Sequence, residues 1–197
     1  MLKRYSHYKL INGSVEVDGI RMHQTAKITP IEDTLYKINS IPIKSSYRVL
    51  DICTGLGYTA IYSAKKAKIV FTIDNDPYML EIAKKNQASS QLFTAENIIK
   101  IIANAEEIIE TFPENYFDAI IHDPPRLKRA GFLYSQDFYN NLFKVLKSNR
   151  HLFHYTGKPG VKAGKNIPAG VKKRLINAGF VNVKWIEKAL GFAAKKI

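Results

Sequence analysis

Residues 49–60 read Val-Leu-Asp-Ile-Cys-Thr-Gly-Leu-Gly-Tyr-Thr-Ala. A short apolar run ends in Asp51, Gly55 and Gly57 interrupt it, and a helical pattern follows through Thr59, Ala60, Ile61, Tyr62 and Ala64. Strand, glycine turn, helix is the arrangement that brings a nucleotide-like ligand close to bare backbone at a helix N-terminus.

From this stretch onward strands and helices alternate. The pattern predicts strands at 47–51, 68–73, 98–102, 117–122 and 151–155, with helices at 58–66, 77–87, 104–111, 135–147 and 167–178. A last pair, 181–187 and 190–196, hinges near Leu190-Gly191 and reads as an antiparallel hairpin closing the sheet. Such alternation predicts an α/β fold, a Rossmann-like, seven-stranded, mostly parallel sheet with helices on both faces. Ahead of it, residues 5–28 alternate apolar and polar around Asn12-Gly13 and Asp18-Gly19, both hairpin turn signals. We expect two or three short strands there, then a helix near Ile31–Asn39 begun by Pro30. The chain thus divides into a small β-rich N-terminal region, 1–46, and a main domain, 47–197.

In an open α/β sheet, ligands bind beyond the carboxyl ends of the strands, so the residues at each strand tip carry the information. Asp74 stands at the second tip, 23 residues after Asp51, close to the spacing of about 20 at which an acid reaches a ribose hydroxyl. A carboxylate can accept from both vicinal hydroxyls of one ribose. Asp76 reads as a helix N-cap ahead of Pro77. Asn104 follows the third strand, placed for an adenine edge, and His122-Asp123-Pro124-Pro125-Arg126 follows the fourth.

This ordered series resembles class I S-adenosylmethionine-dependent methyltransferases, and archaeal members with spermidine synthase-like architecture in particular. The resemblance runs from about Tyr47 to the C-terminus. Asp51, Gly55 and Gly57 match that family's first motif, Asp-x-Gly-x-Gly-x-Gly, with Cys53 where its first glycine usually stands. The resemblance implies S-adenosylmethionine held by Asp51, Cys53, Thr54, Gly55, Gly57, Tyr58, Asp74, Asn75, Asn104, Ala105 and Asp123. It also implies a catalytic motif in Asp123, Pro124 and Pro125, where the reacting atom of the substrate meets the methyl group.

Prolines offer carbonyl acceptors without an N–H and stiffen the turn. A carboxylate plus a fixed carbonyl can accept both hydrogens of an amino group and aim its lone pair, which is most of what such a displacement needs. His122 is a candidate for the released proton. The string Asp-Pro-Pro-Arg is also similar to that of RNA 5-methyluridine methyltransferases. Those enzymes need a downstream cysteine nucleophile, and Cys53 is the only cysteine in the chain. The same fact excludes an internal disulfide and a cysteine-rich metal site; no metal is expected. Residues 117–147 are similar to spermidine synthase-like enzymes as well. Asp123 and Asp137 are, however, the only acids between Asp118 and Glu187, too few for a multiply charged amine.

Charge placement bears on the partner. Residues 1–48 hold eight Lys/Arg and four Asp/Glu, residues 49–143 nine against twelve, and residues 144–197 thirteen against one. Asymmetry of this size points to a polyanion. Arg126, Lys128 and Arg129 after the fourth strand, and Lys158, Lys162 and Lys165 after the fifth, flank one mouth. Tyr134 and Tyr155 offer stacking faces there, and Arg21, His23 and Gln24 reach toward it from the N-terminal region. The expectation is a cytoplasmic enzyme that N-methylates a nucleobase amine in tRNA or rRNA. The alternatives are a small-molecule amine methyl- or aminopropyltransferase, and a non-catalytic RNA-binding protein on the same fold. No apolar run approaches the roughly 20 residues of a membrane span, and the oligomeric state is left open.

Overall fold

The computed structural model describes residues 7–24, 27–127, 129–157 and 166–197. Its N-terminal part is a three-stranded antiparallel sheet, β1 (Tyr8–Ile11), β2 (Ser14–Val17) and β3 (Ile20–Arg21), followed by helix α1 (Pro30–Ile38). Both predicted turns use residues at positive φ, Asn12-Gly13 and Asp18-Gly19, as two-residue hairpins require. Helix α1 begins where Thr29 caps the Glu32 N–H while the Glu32 carboxylate accepts back from the Thr29 N–H, with Pro30 at its first position.

The main sheet alternates with helices in the predicted order: β4 (Arg48–Ile52), α2 (Tyr58–Ala64), β5 (Ile69–Asp74), α3 (Pro77–Lys84), α4 (Ser90–Thr94), β6 (Ile98–Ile102), α5 (Ala105–Ile108), β7 (Phe117–His122), α6 (Gln136–Val145), β8 (Leu146–Tyr155), α7 (Ile167–Asn177), β9 (Val181–Ile186) and β10 (Gly191–Lys195). The strands lie in the order β6-β5-β4-β7-β8-β10-β9. β4 pairs in parallel with both β5 and β7, so strand order reverses beside it, whereas β10 is antiparallel to both β8 and β9. The seven-stranded, mostly parallel sheet with its antiparallel C-terminal hairpin agrees with the expectation.

Local differences have local causes. Helix α3 stops at Lys84, and a separate short helix, α4, follows. The side chain of Asn86 donates to the hydroxyls of Tyr58 and Ser89, offering the chain an alternative to helical bonding there. The helix expected over 104–111 is helical only to Ile108 before tightening into a 3-10 turn at Ile109–Thr111. Strand β8 starts at Leu146, five residues before the expected strand: Leu146 pairs with Phe117, the register then shifts until His151 pairs with Ala119, and Lys147 and Arg150 reach the Asp118 carboxylate across that irregularity.

Strand alternation divides the apolar interior into two layers. Val49, Val70, Ala119, Ile121 and Phe153 face α1 and α2, while Leu50, Ile52, Ile73, Ile120 and Leu152 face α5, α6 and α7. No helix among the described residues is long and apolar enough to cross a membrane.

Candidate active site

The ends of β4, β5, β6 and β7, together with β2 and β3, enclose a cavity of about 710 Å³. It lies at the reversal of strand order, where ligands bind in such sheets.

One half is built on the glycine turn. The N–H groups of Cys53 and Thr54 donate to the carbonyl of Ile73 at 2.9 and 3.1 Å, which ties the turn to β5. Cys53, Gly55 and Gly57 all have positive φ, +75°, +53° and +81°. The glycines are constrained differently. A Cβ on Gly57 would lie 2.6 Å from Leu92 Cδ2, whereas a Cβ on Gly55 would meet nothing within 4 Å because it would project into the cavity that Gly55 lines. Cys53 accepts a conformation that costs a residue with a Cβ about 1–2 kcal/mol.

Asp74, at the tip of β5, accepts from the N–H of Gly55 at 2.9 Å and from that of Asp76 at 3.0 Å. Burial pushes its carboxyl up to about 6, against the pull of those two donors. Asp76 caps α3 by accepting from the Tyr78 N–H, as expected, and also bonds the Tyr8 hydroxyl. Asn75 donates to Asn104 at 3.4 Å, and Asn104 donates to Glu107 at 2.9 Å. Thr54, Tyr58, Asn75, Asn104 and Ala105 line this half with Cys53, Gly55 and Asp74.

The other half centres on Asp123. Its N–H donates to the carbonyl of Ile52 at 3.2 Å, which seats the motif against β4. One carboxylate oxygen meets Lys37 Nζ of α1 at 2.7 Å. Lys37 also pairs with Asp33 at 2.8 Å, and Gln24 donates to Asp33 at 2.9 Å. Burial alone would lower the Lys37 ammonium, but Asp123 and Asp33 outweigh it and hold it above its ordinary range. The same ammonium lies 4.2 Å from the centre of the Tyr155 ring. His23 bonds Ser14 at 3.0 Å, and burial, with the charge on Lys37, pushes its imidazole down to about 3. Pro124, Pro125, Arg126, Arg129, Tyr155, Arg21, His23 and Gln24 all line this half.

Several expected residues stand elsewhere. His122 is fully buried and does not line the cavity; strand alternation turns it, like Ile120, toward α6, where it stacks on His154 at 4.3 Å. Burial holds its imidazole well below the ordinary value, so it is no proton acceptor for this cavity. Asp51 is buried beneath the turn and accepts from the Thr72 hydroxyl at 2.6 Å; burial pushes its carboxyl up to about 7. Asp51 and Gly57 therefore shape the turn from behind. Tyr134 lies under the motif, donating to the Pro125 carbonyl at 3.0 Å. Lys128, Lys158, Lys162 and Lys165 lie outside the described residues. Sequence reasoning missed Lys37 and Asp33. The available signal was an i,i+4 acid–base pair in a helix that also had to bury a face.

A family model described as a methyltransferase domain matches residues 49–149. The chain belongs to that family. An uncharacterized protein of Methanocaldococcus jannaschii is 48% identical over 194 residues, covering 96% of this chain and 67% of that protein. A 23S rRNA (uracil(1939)-C(5))-methyltransferase of Photobacterium angustum is 29% identical over 118 residues, 59% of this chain and 51% of its own length. A release factor glutamine methyltransferase of Thermodesulfovibrio yellowstonii is 26% identical over 136 residues, 68% of this chain and 44% of its own length. Among solved structures, a spermidine synthase bound to the transition-state analogue AdoDATO superposes with a TM-score of 0.74 at 20% identity, over 92% of this chain and 64% of that one. That likeness concerns the fold. The protein is an S-adenosylmethionine-dependent methyltransferase. Its residues fit the cofactor: open space where a Gly55 Cβ would stand, backbone freed by positive φ, and a carboxylate at the next strand tip.

Proposed function

We propose that this methyltransferase acts on an amine nitrogen of an RNA nucleobase. The observation that carries the reading is the charge of the acceptor half. The acids lining the cavity are Asp74, Asp76, Glu106 and Asp123, and of these Asp123 alone belongs to that half. Its carboxylate is already paired with Lys37. Arg21, Arg126 and Arg129 line the same cavity, with Arg129 4.0 Å from Asp18. A multiply charged amine needs several carboxylates free to receive it, while arginines suit phosphates. The RNA-modifying relative agrees with a polyanionic partner. Its carbon chemistry does not transfer, because Cys53 sits in the glycine turn and burial raises its thiol well above the ordinary value.

When bound, the cofactor supplies an electrophilic methyl group on a sulfonium. In this reading the backbone from Cys53 to Gly55 receives its amino-acid portion, Asp74 its ribose, and Asn75, Asn104 and Ala105 its adenine. The free carboxylate oxygen of Asp123 and the carbonyl of Pro124 accept the two hydrogens of the target amine and aim its lone pair. Arg126, exposed at the rim, contacts a flanking phosphate. The rate gain then comes from alignment and electrostatic support.

The test is transfer of a labelled methyl group to bulk RNA followed by nucleoside analysis. We expect one N-methylated nucleoside, abolished by Asp123→Ala, with affinity that falls steeply as salt rises. Salt-insensitive turnover of a small amine, or full activity of Asp123→Ala, would refute the reading.

A further inference from the structure

Lys37 belongs to the N-terminal helix, 86 residues from Asp123 in sequence, yet only 2% of its surface is exposed. An ammonium in such a place is costly unless its charge is answered. Here it is answered twice, by Asp33 at 2.8 Å and Asp123 at 2.7 Å. The first pair lies within the helix: Asp33 is wholly buried one turn earlier and accepts from Gln24. The second pair reaches across to the methyltransferase motif and takes one oxygen of a carboxylate that lines the cavity. We propose that Lys37 is a positioning residue for transfer: it pins one oxygen of Asp123 so that the other faces the acceptor amine at a fixed angle. This rests on the assignment of Asp123 to the acceptor.

The geometry restricts the carboxylate strongly. Its backbone is tethered to Ile52, one oxygen is tethered to Lys37, and the Tyr155 ring lies beneath the ammonium. A carboxylate held at one oxygen has little freedom left about its terminal torsion. Without Lys37 it would rotate, and displacement of about 1 Å at a reacting group costs on the order of 100-fold in rate. The N-terminal helix would therefore set acceptor alignment while making no contact with the substrate itself.

The test uses the full chain and five proteins: wild type, Lys37→Met, Asp123→Asn, the Lys37→Met/Asp123→Asn double variant and a Lys37→Met/Asp33→Asn control. Acceptors are total RNA, putrescine and a glutamine-containing peptide, each with labelled S-adenosylmethionine. Lys37→Met should lower kcat roughly 10–100-fold, with S-adenosylhomocysteine affinity within about threefold of wild type by calorimetry. In the Asp123→Asn background the same substitution should add almost nothing, because the group it positions is gone. Because Lys37→Met leaves Asp33 buried without its cation, Lys37→Met/Asp33→Asn is included; it should recover thermal stability while kcat stays low. Multiplying losses in Lys37→Met/Asp123→Asn, or recovery of kcat along with stability in Lys37→Met/Asp33→Asn, would overturn the proposal by showing that Lys37 serves folding alone. If putrescine or the peptide is labelled and RNA is not, the RNA reading fails, and Lys37 is judged on the acceptor that wild type methylates.

Discussion

The two glycines of the turn make opposite demands, and alanine at each separates folding from cofactor binding. A Cβ on Gly57 would stand 2.6 Å from Leu92 Cδ2 at a φ of +81°. The left-handed backbone costs about 1–2 kcal/mol and overpacking about 1–3 kcal/mol, so Gly57→Ala should lose roughly 2–5 kcal/mol. For a chain of this size that lowers the melting temperature by roughly 5–15 °C. Gly55 has a φ of +53°, inside the region alanine can enter, and its Cβ would touch nothing within 4 Å. Gly55→Ala should lose only about 1–2 kcal/mol. Its methyl group would take up open space at the cavity that Gly55 lines. S-adenosylhomocysteine affinity should drop on the order of 10–100-fold, the scale of a methyl group forced into a filled site. Thermal melts and calorimetry on both variants are sufficient. A Gly55→Ala protein with normal affinity would refute placement of the cofactor against this turn. A Gly57→Ala protein as stable as wild type would refute the packing.

Protonation provides further tests. Because burial holds the Asp74 carboxyl near 6, cofactor affinity should weaken as pH falls through that value, and Asp74→Asn should flatten the profile in calorimetry at pH 5 and 7.5. Asp51 is raised to about 7 by burial, so between about pH 4 and 7 the folded state binds the extra proton and this group's penalty grows as pH rises; Asp51→Asn should raise the melting temperature at pH 8 and change it little at pH 5. His122 works in the reverse sense: its imidazole stays neutral in the fold but charges in the unfolded chain below about 6.5, so it costs stability as pH falls. His122→Phe should keep methyl transfer within a few-fold of wild type and lessen acid destabilisation in urea titrations, and loss of transfer would restore His122 to the mechanism.

What could be read from sequence was governed by locality. Each strand, the glycine turn and the acid at each strand tip are encoded in short local stretches, and β4 to β7 stand where the alternation put them. Asp76 was readable as a cap because capping is local. His122 was misplaced because a strand-end motif says which residues come together, while only the pleat decides which side each faces. The strand is apolar on both faces, Ile120 and Ile121 both being fully buried, so alternation alone could not say which side of the sheet holds the cavity. Lys37 was missed for a different reason: its spacing from Asp33 showed a helical ion pair, but the partner that matters lies 86 residues away, and a lysine in an amphipathic helix is ordinarily solvated. The divergence at Cys53 was visible, yet its meaning was not; its positive φ shows a cysteine holding the backbone conformation that a glycine would take.

The placement of β10 between β8 and β9 has a consequence for how the protein is made. β9 leaves the ribosome before β10, but it hydrogen-bonds to the sheet only through β10. During synthesis β9 must therefore wait as an unpaired segment while β8 remains an open edge, ready to pair with any other extended chain. Closure of this end of the sheet comes after translation of β10, and in a pulse of hydrogen exchange the amides of β9 should gain protection no earlier than those of β10.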